Sequence, residues 1–408
     1  MRVLIISQYF YPEQFRINDL AVGLEVRGHT ITVLTGMPNY PGGRYFPGYS
    51  WRGPWSERYR GCTLWRVPLV PRGSKRWQLA LNYLSFAVLA SVVIPFLPKK
   101  SFDAIFVYEP SPITVGIPAI FLKYWYRAPV FFWVQDLWPE SIAAAENFHS
   151  SFVIGIIRWI VRWIYRNCHT ILVQSEGFIP RIRDFGVPDA RIQYFPNWAE
   201  EVYQGASGGN ESTIPALPSG FIVMFAGNIG SAQDFGTVLA AAELLKRDED
   251  IHFVIVGDGR MKSWVEAEVE RRGLSKTFHL YGQHPVESMP GFFALADVML
   301  VTLKRDLIFS LTIPAKIQSY LACSKAIIAS LEGEGARVIQ ESSSGITVSC
   351  EDPPALAHGI RQMSTMGKEQ RDAMGRSGYA YYKRSFDRNV LINQLDGILQ
   401  QAHRANTI

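Results

Sequence analysis

Apolar runs of four to eight residues recur along the first half of the chain, each bounded by Gly, Pro or Asp and separated by longer stretches with helical spacing. They read VLIISQYF (3–10), TITVLTG (30–36), AIFVY (104–108), VFFWVQ (130–135) and TILVQS (170–175). Continuous rather than alternating apolar character marks strands buried on both faces, which is how a parallel sheet covered by crossover helices reads. The pattern restarts with FIVMFAGNIG (221–230), HFVIVGDG (252–259), HLYGQ (279–283), VMLVTL (298–303), AIIAS (326–330) and GITVSC (345–350). Two doubly wound α/β domains are therefore expected. Residues 200–220, EEVYQGASGGNESTIPALPSG, are rich in Gly, Ser and Pro without periodicity and read as a linker. The division is set at 1–200, 201–219 and 220–380. The last helical stretch, about 367–404, is long enough for residues 381–408 to cross back to the first domain.

Two segments stand apart. Residues 79–97, LALNYLSFAVLASVVIPFL, carry no charge and are followed by Pro98-Lys99-Lys100. Length alone makes this a membrane-span candidate. Asn82, Ser85, Ser91 and Pro95 argue against one, as does its position between strands of one sheet. Three readings stand: a buried or partly exposed crossover helix, a helix dipping into one leaflet, and a span. In SFVIGIIRWIVRWIYR (151–166), Arg158, Arg162 and Arg166 recur every fourth residue with Trp159 and Trp163 beside them. Such a helix can lie in a membrane interface, or its arginines can simply be solvated. Arg72, Lys75, Arg76, Lys99 and Lys100, flanking the apolar stretch, favour the membrane.

Composition narrows the class. With 408 residues, 48% hydrophobic and 19% charged, the chain can build two cores. Positive charge is concentrated in residues 1–200, with 21 Lys+Arg against 13 Asp+Glu. It accompanies apolar helices rather than a basic groove with stacking aromatics, which sets nucleic acid aside. Cys62, Cys168, Cys323 and Cys350 show no metal-ligand or disulfide spacing, so a reducing, cytoplasmic compartment is expected and no bound metal. MRVLIISQYF lacks the features of a signal peptide and reads as a first strand.

In an open parallel sheet, ligands sit beyond the carboxyl ends of the strands. The first such loop, YFYPEQFRIND (9–19), has no glycine and carries Glu13, so it is not a dinucleotide fingerprint and argues against nicotinamide or flavin chemistry. WVQDLWPES (133–141) puts Asp136 and Glu140 after an apolar strand, where a carboxylate either faces a ligand or caps the following turn. In the second half, AGNIGSAQDF (226–235) joins a strand to a helix. Gly227 and Gly230 there would let backbone N–H groups approach a phosphate, with Asn228 between them. Arg260 in VGDGR, Lys304 in TLKRD and Lys316 in the following loop could supply the cations that a nucleotide diphosphate needs.

Together these stretches resemble bacterial glycosyltransferase family 4, in particular the branch of N-acetyl-L-fucosamine and colanic-acid-type transferases of surface polysaccharide assembly. The matching segments run in order from QYFYPEQFRINDLAVGLEVRGHTITVLTGMPNYPGG (8–43) through VQDLWPES, ILVQSEGF, YFPNW, AGNIGSAQDF and VGDGR to TIPAKIQSYLACSKAIIAS (312–330). The resemblance implies a GT-B fold, two Rossmann-like doubly wound parallel-sheet domains facing across a cleft. The second domain would bind a UDP-sugar and the first a polyprenyl-diphosphate-linked saccharide at the inner membrane face. Transfer would retain anomeric configuration without a metal. Carried over by position, Gly227, Asn228, Gly230, Arg260 and Lys316 are donor contacts, to which the residues beside them add Lys304, Pro314 and Ser319, and Asn197 and Trp198 close the first domain.

The sequence also departs from the family. Where two glutamates usually stand eight apart, this chain has Leu311 and Ser319, and the usual Arg/Lys pair of the first loop is Asn228 and Gln233. The histidine often found near VQDLWPES is Gln135. The diphosphate charge then falls to Arg260, Lys304 or Lys316. The chemical step has two readings: same-face displacement without a protein nucleophile, or a covalent intermediate on Asp136 or Glu140, with Glu13 as acceptor contact or base. Two other functions compete with transfer, a non-catalytic assembly subunit of the same shape and a sugar-nucleotide epimerase.

Overall fold

The computed structural model describes residues 1–73, 75–97, 102–141, 150–203 and 214–407. The expected basic residues Lys99 and Lys100, and residues 204–213 of the expected linker, lie outside them. The chain forms two compact units, Met1–Phe195 with Leu391–Ile408, and Pro196–Val390.

The first unit is built on an eight-stranded sheet in the order β3-β4-β2-β1-β5-β6-β7-β8. The strands are β1 Arg2–Ile6, β2 Thr30–Gly36, β3 Ser56–Tyr59, β4 Cys62–Val67, β5 Ala104–Glu109, β6 Val130–Val134, β7 Thr170–Val173 and β8 Ile192–Tyr194. All neighbours are parallel except β3, which pairs antiparallel with β4. This edge hairpin was not expected: SERY is too polar to register as an apolar run, and it is stable only because β4 carries it. The strand order reverses between β1 and β5, and such switch points open a crevice at the carboxyl edge of the sheet.

The 79–97 stretch forms the helix Arg76–Val92 and a short turn, Ile94–Phe96. It is apolar on both sides, with Phe86, Ala87 and Ala90 buried as well. Asn82 is buried and bonds inward, whereas Leu81, Leu84, Val88, Val92 and Phe96 face outward. It is a partly exposed crossover between β4 and β5, and no described helix is long and apolar enough to cross a membrane.

The second unit carries six parallel strands, β9 Phe221–Ala226, β10 Ile251–Val256, β11 Phe278–Gly282, β12 Val298–Thr302, β13 Ile327–Ser330 and β14 Gly345–Val348. Their order, β11-β10-β9-β12-β13-β14, again reverses beside the first strand of the unit. Successive β9 side chains feed opposite cores: Ile222, Met224 and Ala226 join Tyr320 and Phe292, while Phe221, Val223 and Phe225 join Val238 and Leu239. Burial of both faces explains the unbroken apolar runs.

The unit boundary falls before Pro196 rather than after residue 200, because Ala199 and Tyr203 pack into the core of the second unit. Asn197 and Trp198 belong there too: the Asn197 carbonyl accepts from Gln318 Nε2 at 2.8 Å. At the other end, 367–404 is two helices, Lys368–Ser385 and Arg388–Thr407. The second docks on the first unit, where Arg27 Nε donates to Asn393 Oδ1 (2.7 Å) and His29 meets Asp396 (2.9 Å).

Candidate functional site

At the carboxyl edge of the first sheet, the loop after β1 folds back over the loop after β2. Glu13 makes that fold possible. Its buried carboxylate accepts from the amides of Asn39 (2.8 Å) and Tyr40 (2.7 Å) on one oxygen and of Phe10 (3.2 Å) on the other. Burial pushes its pKa up to about 7, with the three N–H donors and the Arg66 guanidinium pulling the other way. These three bonds turn the carboxylate toward the protein, where it ties the two loops together. Around it, Asn39 Oδ1 accepts from the Arg72 amide (2.8 Å), the Arg72 guanidinium lies 5.2 Å from the Tyr40 ring, and Gln8 Nε2 donates to Asn82 Oδ1 (2.7 Å).

Across the switch point, β5 ends in Glu109 and β6 leads into Asp136. Asp136 is half-buried, and burial raises its pKa to about 6. Its charge is felt by Tyr83, which sits against Ser111 and Arg72, and by Tyr108. Glu109 is wholly buried, with the Gln135 and Asp136 amides and the Trp138 side chain as the donors nearest its carboxyl. Burial first, and the Asp136 carboxylate second, push its pKa well up, with those three donors pulling the other way. Sequence reasoning passed over Glu109, although a carboxyl ending an apolar strand is the same signal that singled out Asp136. Glu140 stands in the turn beyond; one of its oxygens is buried without a partner, and its charge reaches the buried Tyr165.

In the second unit, Gly227 follows β9 with a φ of +131°, and a Cβ there would stand 2.8 Å from Lys316 Cε. The bare backbone thus makes room for the Lys316 side chain, whose ammonium lies 3.4 Å from the centroid of the Phe225 ring. Burial lowers the Lys316 pKa to about 7. The glycine loop itself differs from a phosphate cradle. The amides of Gly227 and Ile229 donate to Val256 O and Asp258 O, each at 2.8 Å, and that of Gly230 donates to Gln233 Oε1 at 3.1 Å. A 3-10 turn, Ser231–Gln233, then separates the loop from the helix Phe235–Leu244, so Gly230 is not at that helix's N-terminus. The loop supplies space and exposes Asn228, and Lys316 supplies the charge. Lys304 follows β12 across the switch point, exposed, with its amide bonded to Ala232 O at 2.9 Å. Arg260 is exposed in the loop after β10, whose end packs on Ile229. Pro314 opens the helix Ala315–Ala322 that carries Lys316, and Ser319 Oγ donates back to Ala315 O (3.3 Å). Leu311 ends the preceding short helix, Leu307–Leu311.

The helix Ser151–Asn167 buries Val161, Ile164 and Tyr165 and exposes Arg158, Arg162 and Arg166 with Trp159, which is 67% exposed. Trp163 turns partly inward, 6.3 Å from the Phe121 ring. Phe152 and Ile156 extend the exposed apolar strip.

Comparison with known proteins agrees with this architecture. Residues 14–198 match the model of the glycosyl transferase 4-like domain and residues 214–381 that of glycosyl transferases group 1. The chain is 26% identical to the putative colanic acid biosynthesis glycosyl transferase WcaI of Escherichia coli K12, over 97% of this chain and 98% of that protein. It is also 26% identical to the probable glycosyltransferase WbjE of Pseudomonas aeruginosa, over 56% and 58% of the two chains. Among solved structures, Anabaena HepE in complex with UDP superposes with a TM-score of 0.72 at 13% identity, covering 98% of this chain and all of that one. Two domain models in sequence, two parallel sheets with matching switch points and a GT-B superposition along the whole chain place this protein in the GT-B glycosyltransferases of family 4.

Proposed function

We propose that this glycosyltransferase moves a sugar from a UDP-sugar to a polyprenyl-diphosphate-linked saccharide during assembly of a bacterial surface polysaccharide such as an O-antigen, capsule or exopolysaccharide. The observation that carries the donor half is the Lys316 ammonium, partly desolvated beside the bare backbone of Gly227 at the switch point of the second sheet. A cation in that setting lacks a counter-charge, and a diphosphate supplies one. Solved structures of the same fold hold UDP, and UDP with glucose, which favours uridine as the nucleoside. WcaI, named for colanic acid biosynthesis, favours the polysaccharide setting, and the resemblance of the motifs to N-acetyl-L-fucosamine transferases supports an N-acetylated 6-deoxyhexose as the donor sugar.

The acceptor binds at the carboxyl edge of the first sheet, where Arg72, Tyr83, Ser111 and Asp136 offer donors and acceptors for sugar hydroxyls. Transfer proceeds with retention and without a metal. The acceptor oxygen bonds to the anomeric carbon on the face from which UDP departs, and its proton passes to the leaving phosphate oxygen. Lys316, aided by Arg260 and Lys304, stabilises the charge that develops there. The outward apolar side chains of the helix Arg76–Val92 and the Arg/Trp strip of Ser151–Asn167 hold the protein peripherally on the cytoplasmic face of the plasma membrane.

Purified protein offered UDP-, GDP- and dTDP-sugars with a polyprenyl-diphosphate-GlcNAc acceptor should add one sugar from a UDP donor only. Lys316→Ala should abolish the gain in acceptor mass. Absence of nucleotide release with every donor would instead favour a non-catalytic assembly subunit. Epimerised UDP-sugar without acceptor would favour an epimerase.

A further inference from the structure

The candidate acceptor site occupies the carboxyl edge of the first sheet, yet the same sheet has a second concavity at its opposite edge. A cavity of about 780 Å³ opens where β6, β7 and β8 begin, and the segments entering those strands line it. Its charged residues are Lys123, Arg127, Arg166 and Arg191, with His169 among them and no carboxylate in the lining. None of the four forms an ion pair among the described residues. Their mutual repulsion registers on His169: after burial, the nearby Arg191 and Lys123 charges hold its pKa down. Four uncompensated cations around one open cavity form an anion site.

The surroundings distinguish among anions. Tyr124 lines the cavity and is 65% exposed, and Phe121 and Trp125 are exposed on the same helix, Gly116–Tyr126. Arg166 reaches the cavity from the helix that exposes Phe152 and Trp159. A free phosphate has no use for this apolar fringe, whereas a lipid has both a phosphate and a hydrocarbon boundary where aromatic rings settle.

We propose that this cavity binds the phosphate of an anionic lipid headgroup, fixing the first unit on the membrane by a defined site rather than by diffuse charge alone. The inference rests on the peripheral-membrane reading above and adds to it a specific ligand class and position. Lys123 is also tied to the Asn167 carbonyl (2.6 Å), so its ammonium is fixed at the cavity wall. Arg127 occupies a left-handed backbone position, φ 53°, which its replacement must tolerate.

The test is vesicle sedimentation of the full chain with phosphatidylcholine alone and with added phosphatidylglycerol, using Arg127→Asn/Arg191→Gln. Asn accepts the left-handed backbone, and unchanged thermal melting verifies the fold. With about five-fold per cation near an anionic surface, the double variant should lose roughly 25-fold in binding to phosphatidylglycerol vesicles. Soluble glycerol phosphate should displace the wild type. Arg247→Gln/Arg376→Gln, which removes two exposed charges from the second unit, should lose far less. Equal losses in both double variants would show diffuse attraction and overturn the site while leaving membrane association standing. Inorganic phosphate quenching the aromatic fluorescence of the wild type, without competition from vesicles, would assign the cavity to a free anion and overturn the lipid source. If the wild type binds neither vesicle, the membrane reading falls and the proposal with it.

Discussion

The Lys316 ammonium lies 3.4 Å from the centre of the Phe225 ring and over the bare backbone of Gly227, so the β9 turn and the helix Ala315–Ala322 share one cation. The ring face favours the charged form, but burial dominates and brings the pKa to about 7. At pH 8 the free protein therefore holds this lysine largely neutral. A bound diphosphate restores the proton, so UDP binding at pH 8 should take up close to one proton and weaken as pH rises further. Calorimetry in two buffers of different ionisation enthalpy measures the uptake. Lys316→Arg should bind without uptake, and Lys316→Ala should lose about 10- to 100-fold in affinity. Uptake that persists in Lys316→Arg would assign the proton elsewhere.

Gly257 supports that arrangement from below. Its φ is +147°, and a Cβ would come within 1.9 Å of the Gly227 carbonyl oxygen. Neither the left-handed backbone nor the contact can be relieved by a side-chain rotation. Gly257→Ala should cost roughly 2–4 kcal/mol and lower the melting temperature of the second unit before any effect on donor affinity is considered. A melting temperature equal to the wild type would mean that the two turns are free to separate.

Asp136 offers a pH signature. Burial raises it to about 6, so the carboxylate that can hold an acceptor hydroxyl forms as pH rises through 6 and is lost below it. Turnover should show an acid limb with a midpoint near 6. Asp136→Asn should remove the limb and weaken acceptor binding by roughly 10- to 100-fold, read as a raised acceptor KM, with a small change in donor KM. A limb that survives the substitution would point to Glu13, whose pKa is about 7.

How much of this was legible in the sequence depends on burial. Strands buried on both faces, such as β6 VFFWV and β9 FIVMFA, announce themselves because every position is apolar. The polar edge strand β3 does not, since its side chains answer to one neighbour only. The first-domain boundary was read from Gly/Ser content, whereas Ala199 and Tyr203 follow packing. Lys316 was legible as a basic residue in a strand-end loop, but its lowered pKa needs the Phe225 ring and the helix around it. The glycine loop was legible as a tight turn, whereas the internal use of its amides is a long-range pairing with the loop after β10. Glu109 was overlooked because it ends its strand instead of following it.

Glu13 tests whether loop architecture can be separated from chemistry. Its carboxylate accepts three amide N–H bonds, so an isosteric glutamine would turn an NH₂ group against at least one donor. Glu13→Gln should destabilise the first unit by about 2–3 kcal/mol and raise acceptor KM through the displaced Tyr40 loop, with UDP affinity unchanged. A kcat loss with acceptor KM unaltered would make Glu13 a participant in the reaction instead.

The exposed apolar side chains of the helix Arg76–Val92 give the last test. Leu84, Val88 and Val92 are about half exposed, at 51%, 57% and 60%, while the opposite side buries Asn82 and Phe86. Replacing outward residues removes little packing, so Leu84→Ser/Val88→Ser should change stability by less than about 1 kcal/mol. In water the double variant should be the more soluble protein, because the apolar strip is contiguous. On vesicles it should lose affinity for neutral and anionic lipid alike, since apolar insertion does not depend on headgroup charge. That pattern differs from loss of the basic cavity, which acts on anionic vesicles alone. A double variant that melts several degrees lower without changing vesicle binding would mean that this strip is covered by protein rather than lipid.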